Sequence, residues 1–86
     1  MVSYKVRVKQ SAEKELRTIS KSDLGRIISR IQALSKDPRP KNVEMLRGQD
    51  RYLRLRQGDY RILYEVDDSK KEVLVIKVGH RREVYR

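Results

Sequence analysis

The sequence predicts a small α+β domain. An N-terminal strand and a helical hairpin precede a three-stranded antiparallel meander, and the helices pack on one face of a single sheet. Three patterns carry that expectation: alternation of apolar and charged residues over 4–9, a helical apolar period over 24–34, and three strand-like runs separated by short turns after residue 50. The 86 residues read as one domain, 1–86, with no repeat, linker or low-complexity segment to divide them.

Tyr4, Val6 and Val8 alternate with Lys5, Arg7 and Lys9, so the first strand is half-buried with a charged outer face. Ser11 is placed to cap a short helix in which Ala12, Leu16 and Ile19 form a narrow apolar stripe. Ser22 or Asp23 is placed to cap a second helix. Leu24, Ile27, Ile28, Ile31 and Leu34 keep its period until Pro38 and Pro40 forbid continuation. A connection over 41–48 can turn extended at Glu44 to Leu46, and Gly48 allows it a turn that larger residues resist. The meander strands are 51–56, 60–66 and 72–78, joined by turns at 57–59 and 67–71. The last of them contains VLVIKV, an almost unbroken apolar run that suits an interior strand or one covered on both faces. Gly79 is expected to redirect the chain so that His80, Arg81 and Tyr85 fold back toward the sheet.

With 37% hydrophobic and 40% charged residues, the chain has a thin core and a highly ionic surface. Its net charge of +10, from 22 Lys and Arg against 12 Asp and Glu, steers polyanions toward it and favours an acidic protein partner. There is no cysteine, which excludes disulfides and thiolate metal sites, and His80 is the single histidine, so no metal and no cofactor is expected. The N-terminal MVSYKVRV lacks the apolar core of a signal peptide and no run reaches membrane-spanning length, which makes the cytoplasm the expected compartment and a membrane partner unexpected.

The run RYLRLRQGDYRILY, residues 51–64, carries the chemistry. Alternation turns Leu53 and Leu55 to a core and puts Tyr52, Arg54 and Arg56 together on the other face, and a turn at Gly58 brings Arg61 near Arg54 or Arg56. Guanidinium forks match phosphate oxygens and tyrosine rings can stack on unpaired bases, so RNA is the expected ligand. Arg56, Tyr52 and Arg51 are the candidate RNA-binding residues. Tyr64 shares its parity with Ile62 and belongs to the core.

The order of LRG at 46–48, YR-x-x-Y at 60–64 and VGHRREVY at 78–85 resembles the RelE/ParE superfamily of toxins, specifically its RelE branch. The resemblance spans the chain from the first strand to Tyr85. It implies a toxin of a type II toxin–antitoxin system, a ribosome-dependent endoribonuclease held inactive by a cognate acidic antitoxin. Its further partners are then the 70S ribosome with its rRNA, and the mRNA cleaved in the A site. The implied reaction is attack of a ribose 2′-hydroxyl on the adjacent phosphate, without metal or cofactor.

By position, the resemblance implies that Arg61 stabilises the phosphorane, that Arg81 protonates the leaving oxygen or stabilises its charge, and that Tyr85 stacks on or orients the nucleotide. Arg54 and Tyr52 stand where better-known members carry lysines, one of them the assigned base. Arginine keeps its proton, so Arg54 suits phosphate contact better than base catalysis. Histidine as a residue type is the usual proton carrier near neutral pH, so His80, together with the carboxylate Glu44, is an alternative for proton transfer. Two other functions remain to be weighed against the nuclease: a ParE-like gyrase inhibitor, and a catalytically silent RNA-binding relative.

Overall fold

In the computed structural model, which describes residues 3–46 and 49–80, the alternating residues after Tyr4 form β1 (Lys5–Val8), with Val6 and Val8 half-buried and Lys5 and Arg7 exposed. Helices α1 (Gln10–Leu16) and α2 (Lys21–Ala33) follow. Then come β2 (Glu44–Leu46), β3 (Gln49–Gln57), β4 (Tyr60–Asp67) and β5 (Glu72–His80). The strands make one sheet in the order β1-β5-β4-β3-β2. Its pairs are antiparallel except β1 with β5, which run parallel, with the helices forming the crossover between β1 and the rest. The extended segment at residues 44–46 adds an edge strand to the three-stranded meander.

The interior position expected for the last strand holds, since β5 lies between β1 and β4. Its unbroken apolar run has a second cause. Leu63 pairs with Lys77 but Tyr64 pairs with Val75, so Ile76 is an extra residue on β5. That bulge shifts the parity, and Val73, Val75 and Val78 all reach the core despite their uneven spacing. They meet Ile27, Ile31 and Leu34 from α2, Leu53 and Leu55 from β3, Ile62 and Tyr64 from β4, and Ala12 from α1. Each fully buried aliphatic side chain contributes about 1.5–3 kcal/mol of transfer free energy. Tyr64 fits this apolar layer because its hydroxyl donates to the Pro38 carbonyl at 2.7 Å, and burial pushes that hydroxyl above its ordinary pKa, so it keeps the proton it donates.

Several local expectations change. Ser11 lies inside α1 and does not cap it. The N-cap position is Lys9, which makes no side-chain cap bond. Likewise α2 begins at Lys21, ahead of Ser22 and Asp23, with Ser20 at the N-cap; the Ser20 hydroxyl lies 3.1 Å from the Asp23 carboxylate and makes no bond to backbone N–H. In both places the helix starts about two residues ahead of the boundary that the nearest capping-type side chain suggests, extended by polar residues that lie outside the apolar period. Ile19 falls beyond the end of α1 and is still buried. Ile28, on the flank of the α2 stripe, remains 38% exposed. Gly79 does not redirect the chain, because β5 continues through it to His80.

At the β3–β4 turn, Gln57 pairs with Tyr60 across Gly58 and Asp59, and only Gly58 has positive φ, +59°, which its missing Cβ permits. The opposite end of the sheet is tied by a polar cluster. Arg39 makes two parallel bonds to Asp68, 3.1 and 3.0 Å, and the Tyr4 hydroxyl donates to the same carboxylate at 2.7 Å. The Arg39 bonds, then Tyr4, hold the Asp68 carboxyl down at about 2 against an ordinary 3.8.

A depressed carboxylate stabilises the fold fully above its unfolded pKa, and that contribution vanishes as pH falls through the folded value. Asp68→Asn should therefore melt below wild type at pH 6, and the gap should close between about pH 4 and pH 2. Thermal melts across that range check it, and a gap that persists unchanged at pH 2 would refute this account of the cluster.

Candidate functional site

The register of β3 and β4 sorts the predicted residues onto two faces, because directly opposed residues of an antiparallel pair point the same way. Leu53 opposes Tyr64 and Leu55 opposes Ile62 on the helix face. Tyr52 opposes Glu65, Arg54 opposes Leu63 and Arg56 opposes Arg61 on the face turned away from the helices. Arg54, Arg56 and Arg61 thus share the face turned away from the helices, with Arg56 and Arg61 in direct register beside the Gly58 turn. On its other side Arg61 opposes Gly79. A glycine there leaves lateral room for the guanidinium that a larger residue would occupy.

These arginines sit in different surroundings. Arg56 is exposed. Arg61 is 2% exposed, and its Nη1 donates to the Tyr60 carbonyl at 3.3 Å. Arg54 is mostly covered, its side chain 14% exposed, and its Nη2 lies 3.2 Å from a Glu44 carboxylate oxygen. Glu44 belongs to β2 and is the direct register partner of Arg54. The pairing holds the Arg54 guanidinium in one orientation, and also means that an anionic ligand must compete with Glu44 for it.

His80 is placed apart from this set. It opposes Tyr60 in register, with ring centroids 5.8 Å apart and the planes at 72°, on the same side of the sheet as Ile62 and Val78. It borders a cavity of about 180 Å³ against Glu15 and Thr18 of the α1 region, not the arginine face. Arg51 falls within β3, but its side chain lies outside those described, and Arg81 and Tyr85 lie outside the described residues altogether.

Two features near the site escaped the sequence reading. Glu15 of α1 accepts the Val78 N–H at 3.1 Å and pairs with Lys77 at 3.2 Å, holding the edge of β5 just where β1 ends. Arg30 of α2 donates its Nε to the Gln57 side chain at 3.0 Å, bringing a fourth guanidinium to the Gly58 end of the sheet. Each contact joins residues far apart in sequence, and no local pattern announces it. Among the described residues there is no group of three or more His, Asp or Glu that could hold a metal ion, and no helix long and apolar enough to cross a membrane.

The architecture is thus a five-stranded sheet with a parallel β1–β5 pair, two helices on one face and arginines on the other. The family profile described as "ParE toxin of type II toxin-antitoxin system, parDE" matches residues 4–85. The chain belongs to this ParE/RelE toxin family and is a toxin of a type II toxin–antitoxin system.

Toxin RelG of Mycobacterium tuberculosis is 29% identical over 84 residues, covering 96% of this chain and 97% of that protein. The toxin in the archaeal RelE–RelB complex from Pyrococcus horikoshii OT3 superposes with a TM-score of 0.82 at 27% identity, covering 92% of this chain and 96% of that one. A free E. coli RelE carrying two arginine-to-alanine changes gives a TM-score of 0.77 at 31% identity, covering 96% and 90% of the two chains. The expected fold class, with its N-terminal strand, helical hairpin and antiparallel meander in one sheet, matches these structures.

Proposed function

We propose that this toxin is a ribosome-dependent endoribonuclease that cleaves mRNA in the A site and is neutralised by an acidic antitoxin of the RelB kind. The observation that carries the reading is the grouping of Arg54, Arg56 and Arg61 on one face, with Arg61 buried beside Arg56 and across from a glycine. A guanidinium closed over by its substrate suits the extra negative charge of a phosphorane, since water is then excluded and screens it little. Because Arg61 is 2% exposed, contact with a scissile phosphate requires that it first be uncovered.

In this reading the 2′-oxygen attacks phosphorus, the P–O5′ bond breaks, and the products carry a 2′,3′-cyclic phosphate and a 5′-hydroxyl. Arg61 stabilises the phosphorane, Arg54 and Arg56 hold the backbone, and Tyr52 and Arg51 lie on the strand that meets the RNA. Arg81 and Tyr85 retain the leaving-group and nucleotide-stacking roles that their family positions imply.

Proton abstraction falls to Glu44, the carboxylate paired with Arg54 on the open face, whereas His80 lies on the helix face against Tyr60. Glu44→Gln should then lower cleavage by about 10²- to 10⁴-fold, the range for a lost general base, while His80→Gln stays within a few-fold of wild type. The reverse order of effects would return the proton to His80.

The deciding experiment is translation of a defined mRNA by purified ribosomes with this protein, mapping the RNA ends. Cleavage at A-site codons is expected. Intact mRNA in the presence of active ribosomes would sink the nuclease reading. The ParE description of the matching profile motivates the second reading, a gyrase inhibitor, which intact mRNA together with trapped gyrase would support. Intact mRNA and free gyrase would leave a catalytically silent RNA-binding relative.

A further inference from the structure

An open groove of about 580 Å³ lies between α2 and the Gly58 end of the sheet, bordered by Arg30, Lys41, Asn42, Glu44, Arg56 and Gln57. We propose that this groove is a second phosphate-binding site, which takes the backbone flanking the scissile position in the same RNA strand that crosses the arginine face. The proposal rests on the reading of the open face as an RNA-handling surface.

The groove is continuous with that face because Arg56 belongs to both: it opposes Arg61 in the sheet and also borders the groove. A strand held over Arg54, Arg56 and Arg61 therefore leaves the sheet beside Arg30 and Lys41. Arg30 is prepared for a phosphate. Its Nε is committed to Gln57 at 3.0 Å, which fixes the plane of the guanidinium and leaves its two terminal nitrogens as the available fork. Lys41 adds an exposed point charge from the connection after Pro40. With Arg30, Lys41 and Arg56 against Glu44, the lining is net cationic, and Glu44 is already paired with Arg54. Among the described residues that line it Val43 is the one apolar side chain, which provides little for the alternating side chains of a bound peptide but suits a polyanion whose affinity comes from its backbone.

The test is binding of a short, non-cleavable 2′-O-methyl RNA to the full chain, followed by fluorescence anisotropy over a salt series. Wild type is compared with Arg30→Gln/Lys41→Ala and with Lys14→Ala/Lys70→Ala, a control that removes the same charge from exposed sites elsewhere. Each phosphate contact on a single strand contributes about 0.7 to the slope of log affinity against log salt, so the groove variant should lose about 1.4 and the control little. If Arg30→Gln fails to fold, Lys41→Ala alone should lose about 0.7.

Equal slopes for groove and control variants would overturn the proposal. Unchanged RNA binding with weakened ribosome association would also overturn it, assigning the groove to ribosomal RNA, and loss of binding to an acidic peptide alone would assign it to a protein. The RNA is non-cleavable, so this outcome is independent of the ribosome experiment. Cleavage with equal slopes removes only the groove, and a slope difference without cleavage removes only the nuclease.

Discussion

Arg61→Ala should reduce A-site cleavage by about 10²- to 10³-fold, the loss that follows removal of one preorganised donor to a developing oxyanion. The expectation is large because Arg61 sits between Arg56 and Gly79 in register, where a bound RNA strand that closes over it would exclude water and leave its charge little screened. Arg61→Lys should recover part of the rate, since it keeps the charge and loses the fork. Single-turnover cleavage on preassembled ribosome complexes separates this from weaker ribosome binding, because a phosphorane contact lowers the rate at saturation. An Ala variant that folds, by circular dichroism, and cleaves at the normal rate would place the phosphate site elsewhere on the chain.

Ile27→Ala should destabilise the domain by about 2–5 kcal/mol, the range for truncating a fully buried aliphatic side chain. Ile27 is 0% exposed and anchors α2 to a core built from few large residues. A domain this small has a total stability of only about 5–15 kcal/mol, so that loss is a substantial fraction of it. For domains of 60–100 residues each kcal/mol shifts the midpoint by about 4–8 °C, so a fall of at least about 8 °C is expected. Ile28→Ala, at the exposed flank of the same helix, serves as the comparison and should move the midpoint far less. Similar shifts for the two variants would mean that α2 does not dock through the Ile27 face. Chemical denaturation with a fixed m-value would confirm that the change lies in stability and not in compactness.

Period and alternation were enough to locate the helices and the strands, because those signals are local: Ile27 and Ile31 on one helical stripe, Leu53 and Leu55 on one strand face. The same alternation placed Arg54 and Arg56 on the face away from the core, and the short Gly58 turn brought Arg61 opposite Arg56. Helix ends were harder, since Lys9 and Ser20 stand at N-cap positions without the side-chain bonds that make a cap recognisable.

The placement of His80 differs from the expected one for another reason. Gly79 suggested a bend, but pairing with Arg61 keeps β5 extended and sends the next side chain to the helix side. The Glu44–Arg54 and Arg30–Gln57 contacts depend on strand register and helix docking, which no short window of residues encodes.

Glu15 has a bearing on what this small, sticky chain avoids. Beyond Val8, where β1 stops, β5 keeps β4 on one side but among the described residues has no strand on the other, and there the Glu15 carboxylate takes the Val78 N–H that an intruding strand would otherwise use. A hydrogen-bonding position that invites fibril growth is thereby closed with a negative charge, from inside the same molecule. At this stretch of β5 a second copy of the chain meets a carboxylate instead of a free donor, while β1 and β2 remain the outer strands of the sheet.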